Sequence, residues 1–392
     1  MNVTYRVDKD ILYIAVEGRV DASNAAAAEE SIFGIKRENP GKHTVIDADN
    51  LEYISSAGLR VILRLRKEDP GLAIINVASD VYEVLDMTGF TDMVTVEKAY
   101  QRMSAEGCTF IAKGANGAVY RYDDETSLKT YFAKDALPEI KQERENARRA
   151  FVLGINTAIP YGIVRVGEGY GTVTELLNAV SVTQLIRENP DDLTAAVGYY
   201  VDMLNNIHSV ETEEGDLPDM KEVALDWARF VSPHLPKDRA EKLCALIEAV
   251  PKQTTLLHGD YHTNNVMVQN GEPLLIDMDT LCMGHPVFEL GSMFNAFRGY
   301  SELDPNVSME FFGFSRETAM KFWNMALARY LGTEDEATCR SVAEKAMVVG
   351  YTRMLRRALR RPDQADSPAK IARCKERLAE LLARVDSLAF ER

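Results

Sequence analysis

The segment from residue 256 to 279 restricts what this chain can fold into more than any other part of it. Within it, Leu256-Leu-His-Gly-Asp-Tyr-His-Thr-Asn-Asn-Val-Met-Val sets His258, Asp260 and Asn265 in the spacing H-x-D-x-x-x-x-N, and Asp277 follows inside Leu274-Leu-Ile-Asp-Met-Asp. Phosphoryl transfer asks little covalent chemistry of a protein. It needs a carboxylate beside the incoming hydroxyl and oxygen ligands that hold magnesium on the phosphates. Asp260 suits the first task as base or orienting group, with His258 as the second catalytic candidate. Asn265 and Asp277 suit the second, because magnesium takes hard oxygen ligands. The apolar runs 266–268 and 274–276 predict a rigid hairpin that carries both ligands. Asp279 rivals Asp277, which is preferred because it directly follows the apolar run. His258 and His262 also form an H-x-x-x-H pair, but zinc binding at that spacing needs a helix, and Gly259 with its polar neighbours predicts a loop. Taken singly, these residues read as a turn and a strand-end carboxylate. Their combined spacing reads as a phosphoryl-transfer site.

A second constellation lies upstream. Ala112-Lys-Gly-Ala-Asn-Gly-Ala-Val-Tyr-Arg-Tyr is a glycine turn between two strand-like runs. Gly114, Asn116 and Gly117 are its nucleotide-binding candidates, since glycines let backbone N–H groups approach phosphate closely. The turn is neither a full G-x-G-x-x-G pattern nor a Walker A sequence. Lys129, on the next strand-like run, is placed to meet the α and β phosphates. On the helix expected over residues 138–153, Glu143 or Glu145 is placed to pair with it. Glycine loop, lysine strand, glutamate helix, His-x-Asp loop and Asp strand follow one another in the order found in kinases.

On these motifs, residues from about 108 to 300 resemble the aminoglycoside phosphotransferase and choline kinase-like family. The resemblance implies an α+β bilobal protein-kinase-like fold, use of ATP and Mg2+, and transfer to a hydroxyl of a small molecule. It places the lysine partner at Glu145 and an adenine-binding hinge at Val173-Thr-Glu-Leu-Leu, with backbone groups of Glu175 and Leu177 as candidates. It implies a structural role for the helix 200–208 ending in Leu-x-x-x-His. The family's Asp after the metal ligand is replaced here by Glu289. The region after about 300 shows no specific match.

Residues 1–98 alternate strand-like runs (11–16, 44–46, 72–77) with helix-like ones (22–36, 56–67, 79–87), which predicts an α/β domain. Ser79 is placed to cap the third helix and Gly89 to end it. The run Leu51-Glu-Tyr-Ile-Ser-Ser-Ala-Gly-Leu-Arg-Val-Ile-Leu-Arg-Leu, with Gly18-Arg-Val-Asp21 and Val84-Leu-Asp-Met-Thr-Gly-Phe90, resembles STAS domains, the anti-sigma-factor antagonists of bacteria. The resemblance implies a regulatory phosphoserine at a helix start, here Ser56, and an anti-sigma-factor-like protein partner. A helix N-terminus stabilises added phosphate. Ser55 stands where the family commonly has Asp, and either serine also suits a helix cap. Asp21 is placed to line the same edge or to cap the first helix.

The 392-residue length favours two or three domains. The expected organisation is a STAS-like α/β domain (1–98), a linker (99–107), a kinase N-lobe (108–177) and a C-lobe (178–392). A net charge of −15 disfavours nucleic acid and anionic membranes as partners of the whole surface. The first residues do not form a secretory signal, and no uninterrupted apolar run is long enough to predict a spanning helix. Five scattered cysteines suit reduced thiols and a cytoplasmic setting. Arg353, Arg356, Arg357, Arg360 and Arg361 form a basic helical stripe. It reads first as a solvated or domain-packing face, and otherwise as a site for an acidic substrate, nucleic acid or the acidic amino-terminal domain. The expected function is an ATP-dependent small-molecule hydroxyl kinase with a STAS regulatory module. The alternatives are a partner-switching kinase acting on Ser56 in cis or on another STAS protein, and a non-catalytic nucleotide-binding scaffold.

Overall fold

The computed structural model describes residues 1–114, 116–302 and 304–391. It divides into two compact units, Met1–Ser104 and Ala105–Arg392, each with its own apolar core. Among the described residues, no helix is long and apolar enough to cross a membrane.

In the first unit, Leu12, Ile14 and Val16 of strand Ile11–Val20 are buried in alternation with half-buried neighbours. That alternation decides which face of the strand packs on the core. The sheet runs Asn2–Asp8, Ile11–Val20, His43–Asp47, Ala73–Val77, Thr95–Lys98, and Leu51–Ile54 pairs further along the second strand. The first pair is an antiparallel hairpin and the others are parallel. Parallel neighbours need crossovers, and helices Ala25–Glu38, Ser56–Glu68 and Ser79–Met87 lie between the strands in sequence. The first helix starts later than its alanine run suggests. Asp21 accepts from the N–H and hydroxyl of Ser23, and Asn24 accepts from the N–H of Asp21. This polar turn competes with the helix for the same backbone groups, and Asp21 therefore shapes the turn rather than capping the helix. Ser79 does not cap the third helix either: Ala78 holds that position and Ser79 is already helical. Gly89, at φ +73°, lies just past that helix's end.

The second unit opens with an antiparallel sheet in the order Pro160–Val166, Gly169–Glu175, Thr126–Tyr131, Gly117–Arg121, Thr109–Lys113. Helix Leu137–Val152 connects its strands. A mainly helical region follows, packed around Tyr200, Tyr261, Phe297, Phe322 and Trp323. Two small sheets interrupt it. One is the hairpin Val266–Gln269 with Glu272–Leu275, edged by the short strand Val180–Ser181 and turned by Asn270 and Gly271, both at positive φ. Asn-Gly suits such a two-residue turn because both positions require the left-handed region. The other is Leu256–Leu257 with Cys282–Met283. Residues 258–265 and 276–281 therefore span between the same two strand pairs and run side by side. This topology brings Asp260, Asn265 and Asp277 into one region.

Candidate active site

Hydrogen bonds lock the two segments, which run antiparallel, together. Ile276 N–H donates to Asn265 O at 3.0 Å, and Thr280 hydroxyl donates to His258 O at 2.8 Å. The buried His258 ring has both nitrogens engaged with backbone: Asp260 N–H donates to Nδ1 at 3.3 Å and Nε2 faces Ile276 O at 3.1 Å. An acceptor role for Nδ1 makes Nε2 the protonated nitrogen. His258 is thus a positioning residue rather than a second catalytic group, because its ring faces backbone instead of the cleft. With both nitrogens occupied it cannot share a zinc ion with His262. Gly259, at φ +81°, must be glycine, since a Cβ there would meet Thr280 O at 2.4 Å.

Asp260 stands half-exposed at the cleft. One carboxylate oxygen lies 3.6 Å from His262 Nε2 and the other 3.9 Å from Arg353 Nη2. Burial by itself would raise its pKa, but hydrogen bonding and charge from His262, then the charges of Arg353 and His258, outweigh this and hold it at about 2. Arg353 also donates to Gly259 O and Ser292 Oγ, both at 3.0 Å, and its guanidinium lies 5.6 Å over the Trp227 ring. Glu289 is fully buried and accepts from the N–H of His258 at 2.6 Å and of Gly259 at 3.1 Å. Burial pushes its carboxyl up. The residue that departs from the family pattern is therefore a brace for the loop. Tyr200 and Tyr261 close the other side by exchanging hydroxyl-to-carbonyl bonds.

Lys129 lies on the central strand Thr126–Tyr131, and its ammonium is 2.6 Å from Glu143 Oε1 and 3.6 Å from Asp277 Oδ1. Glu143 is the partner and Glu145 is not. Glu143 shares a helix face with the buried Ile140 and Asn146, whereas Glu145 points the other way and pairs with Arg148 and Arg149. Burial would lower the Lys129 pKa, but Glu143, Tyr131 and Asp277 more than reverse this, so it stays charged. Asn146, three residues along that face, donates to Met278 O at 2.9 Å and so ties the lysine-partner helix to the segment carrying Asp277.

Asp277 sits at φ +64° directly after the hairpin. Loss of water contact, then the charges of Asp277, Glu143 and Asp260, push the Asp279 carboxyl up to about 6. That is a local excess of negative charge, which a divalent cation would relieve. Asn265 donates through Nδ2 to Asp260 O at 3.1 Å, which turns its Oδ1 the other way. An amide oxygen from Asn265 and the carboxylate of Asp277 are donors of the kind magnesium takes, so the residues present fit that ion.

The glycine turn differs from its expected geometry. Gly114 N–H donates to Gly117 O at 2.9 Å and Asn116 O accepts from Phe132 N–H, so the Gly114 amide closes the turn instead of pointing outward. Gly117 is required for packing, since a Cβ there would meet Thr130 O at 2.1 Å. Ala115 lies outside the described residues. At the expected hinge, Glu175 N–H donates to Ile159 O and Leu176 N–H to Glu125 O. The Glu175 amide is thus committed to the sheet and cannot serve adenine. Glu175 and Leu177 border a polar depression with Thr157 and Gln269.

In the amino-terminal unit, Ser55 is the helix cap, accepting from Gly58 N–H at 3.4 Å, and Ser56 is exposed at the first helical position. All five cysteines are free thiols.

Sequence reasoning did not find the roles of Arg353, Ser292 and Asn146. Arg353 had a visible signal, because in the arginine stripe it alone stands with no arginine beside it, between Thr352 and Met354. Asn146 lies three residues from Glu143 on the same helix face.

Comparison with known proteins gives two family matches. Residues 107–320 match the phosphotransferase enzyme family, and residues 2–121 match the STAS domain. BtrV of Bordetella bronchiseptica, named as a candidate anti-sigma factor antagonist, is 28% identical over 109 residues, covering 27% of this chain and 93% of that protein. Similar solved structures include the ADP-bound aminoglycoside phosphotransferase APH(2'')-Ib, at 14% identity and a TM-score of 0.48 over 76% of this chain and 98% of that one. A choline/ethanolamine kinase family protein from Mesorhizobium loti is similar at 15% identity and a TM-score of 0.46, over 71% and 92% of the two chains.

Proposed function

Since this chain belongs to the phosphotransferase enzyme family and carries a STAS domain at its amino-terminal end, we propose that it transfers the γ-phosphoryl group of ATP to a hydroxyl of a small molecule, with the STAS domain as a docking or regulatory module for an anti-sigma-factor-like protein. The observation that carries this reading is the Asp260 carboxylate, kept ionised at the cleft on a braced loop beside Asn265 and Asp277. Lys129, held charged by Glu143, meets the α and β phosphates. Magnesium on Asn265 and Asp277 would neutralise charge on the phosphates. Asp260 accepts a hydrogen bond from the incoming hydroxyl and orients its oxygen toward phosphorus. As the new O–P bond forms and the bond to ADP breaks, the hydroxyl proton leaves through Asp260. A carboxylate of such low pKa takes that proton late, so orientation is its larger contribution.

The exposed Ser56 at a helix N-terminus favours a second reading, in which a STAS serine is the acceptor. Incubation with labelled ATP and magnesium, followed by mapping of the phosphate, separates the two. Transfer to an added hydroxyl compound, reduced by about 10²-fold or more in Asp260→Ala, supports the first. Label on Ser56 that vanishes in the same variant supports the second. A chain that binds no ATP sinks both.

A further inference from the structure

The arginine stripe starts at the cleft. Helix Glu336–Leu359 presents Arg353, Arg356 and Arg357, and Arg360 at its end, at spacings of three and four that put them on one face. Arg353 reaches Asp260. One turn further, Arg357 donates to the Tyr300 hydroxyl at 3.4 Å with its guanidinium 5.8 Å from that ring, and Arg356 lies 5.9 Å from the ring of the exposed Phe230. Arg357 and Arg360 are exposed. Burial, then the charge of Arg360, lowers the Arg356 pKa, with Arg353 adding to the effect; these cations repel one another. Asp226 pulls the other way, but it is itself 3.3 Å from Arg229. A helical turn spans about 5.4 Å, so this positive face extends from Asp260 over roughly the length of a small metabolite.

On the phosphotransferase reading above, we propose that the acceptor is an anion: a hydroxyl compound whose phosphate or carboxylate group binds along Arg353, Arg356 and Arg357 while its hydroxyl faces Asp260. Guanidinium forks match both anions with paired N–H donors. An amino sugar or a quaternary amine would bring positive charge against the same face.

The test uses the full chain with MgATP and matched acceptors: glycerol 3-phosphate against glycerol, malate against its diamide, and choline and kanamycin as cations. The expected result is a kcat/KM at least about tenfold higher for one or both anions than for their neutral partners. Arg356→Glu and Arg357→Glu should each cut that ratio by about tenfold. Titration of the MgADP-loaded chain with the same compounds reads the charge preference without transfer. The phosphate and carboxylate arms tell which anion is meant. Equal or better turnover of the neutral or cationic compounds overturns the proposal and leaves the phosphotransferase reading intact. So does an unchanged ratio in both variants. Preferential anion binding without transfer to any compound overturns the phosphotransferase reading while the anion site stands. Absence of anion binding, with phosphate found only on Ser56, overturns the small-molecule acceptor.

Discussion

Asp260 and Lys129 are opposite charges held ready by different means. Asp260 keeps its charge because His262 and Arg353 outweigh the effect of burial. Lys129 keeps its charge because Glu143, Tyr131 and Asp277 do the same with the sign reversed. Neither depends on its nearest sequence neighbours alone. Glu143 has a second bond, from the Tyr131 hydroxyl at 2.9 Å, which fixes its carboxylate in place. Glu143→Gln removes the charge that orients Lys129, and the KM for ATP is expected to rise about tenfold, since a partly buried charged hydrogen bond contributes roughly 1.5–3 kcal/mol. Glu145→Gln is expected to leave that KM unchanged, because Glu145 pairs with Arg148 and Arg149 and not with Lys129 among the described residues. Steady-state kinetics on the two variants distinguishes the partners.

Two helices act on the cleft as units. Helix Leu137–Val152 carries both Glu143 and Asn146, so any shift of it moves the lysine partner and the Asp277 segment together. Helix Val287–Phe294 carries Glu289 and Ser292, which hold the His258–Gly259 backbone from below. Just before that helix, His285 accepts from Val287 N–H, and its buried ring lies 5.2 Å from the Phe390 ring near the carboxyl end. Burial, against a raising hydrogen bond to Phe390 and with a lowering push from Lys345, takes its pKa down to about 4. A histidine with a lowered folded pKa favours unfolding when it is protonated. Its stability contribution is therefore full above the unfolded value near 6.5 and is lost as pH falls toward 4. At 1.36 kcal/mol per pKa unit the loss is about 3 kcal/mol. Denaturant titrations at pH 7.5 and 4.5 should show a drop of this order in the wild type, and His285→Asn should remove that share of it.

At the scale of the molecule, two separate apolar cores predict two thermal transitions. Scanning calorimetry with and without MgADP should raise only the transition of the unit Ala105–Arg392, because a ligand stabilises the unit that binds it. A single transition raised as a whole would mean that the units unfold together. Much of this organisation was legible in the residues themselves. Alternating apolar runs marked the strands, and the spacing of His258, Asp260, Asn265 and Asp277 pointed to one loop and one strand end. These signals are local, set by backbone periodicity and by the residue types that phosphate chemistry needs. The choice of Glu143 over Glu145 turned on which helix face meets the sheet. The commitment of the Gly114 and Glu175 amides to backbone partners depended on strand pairing. Glu289 and Arg353 lie far along the chain from Asp260, and only the packing of their helices brings them to its loop. The sequence by itself determined an α/β unit, an α+β kinase-like unit and a phosphoryl-transfer motif, because periodicity and motif spacing are properties of neighbouring residues. Only the tertiary structure decided which groups hold that motif in place and what charge faces the acceptor, because those are contacts between elements distant in the chain.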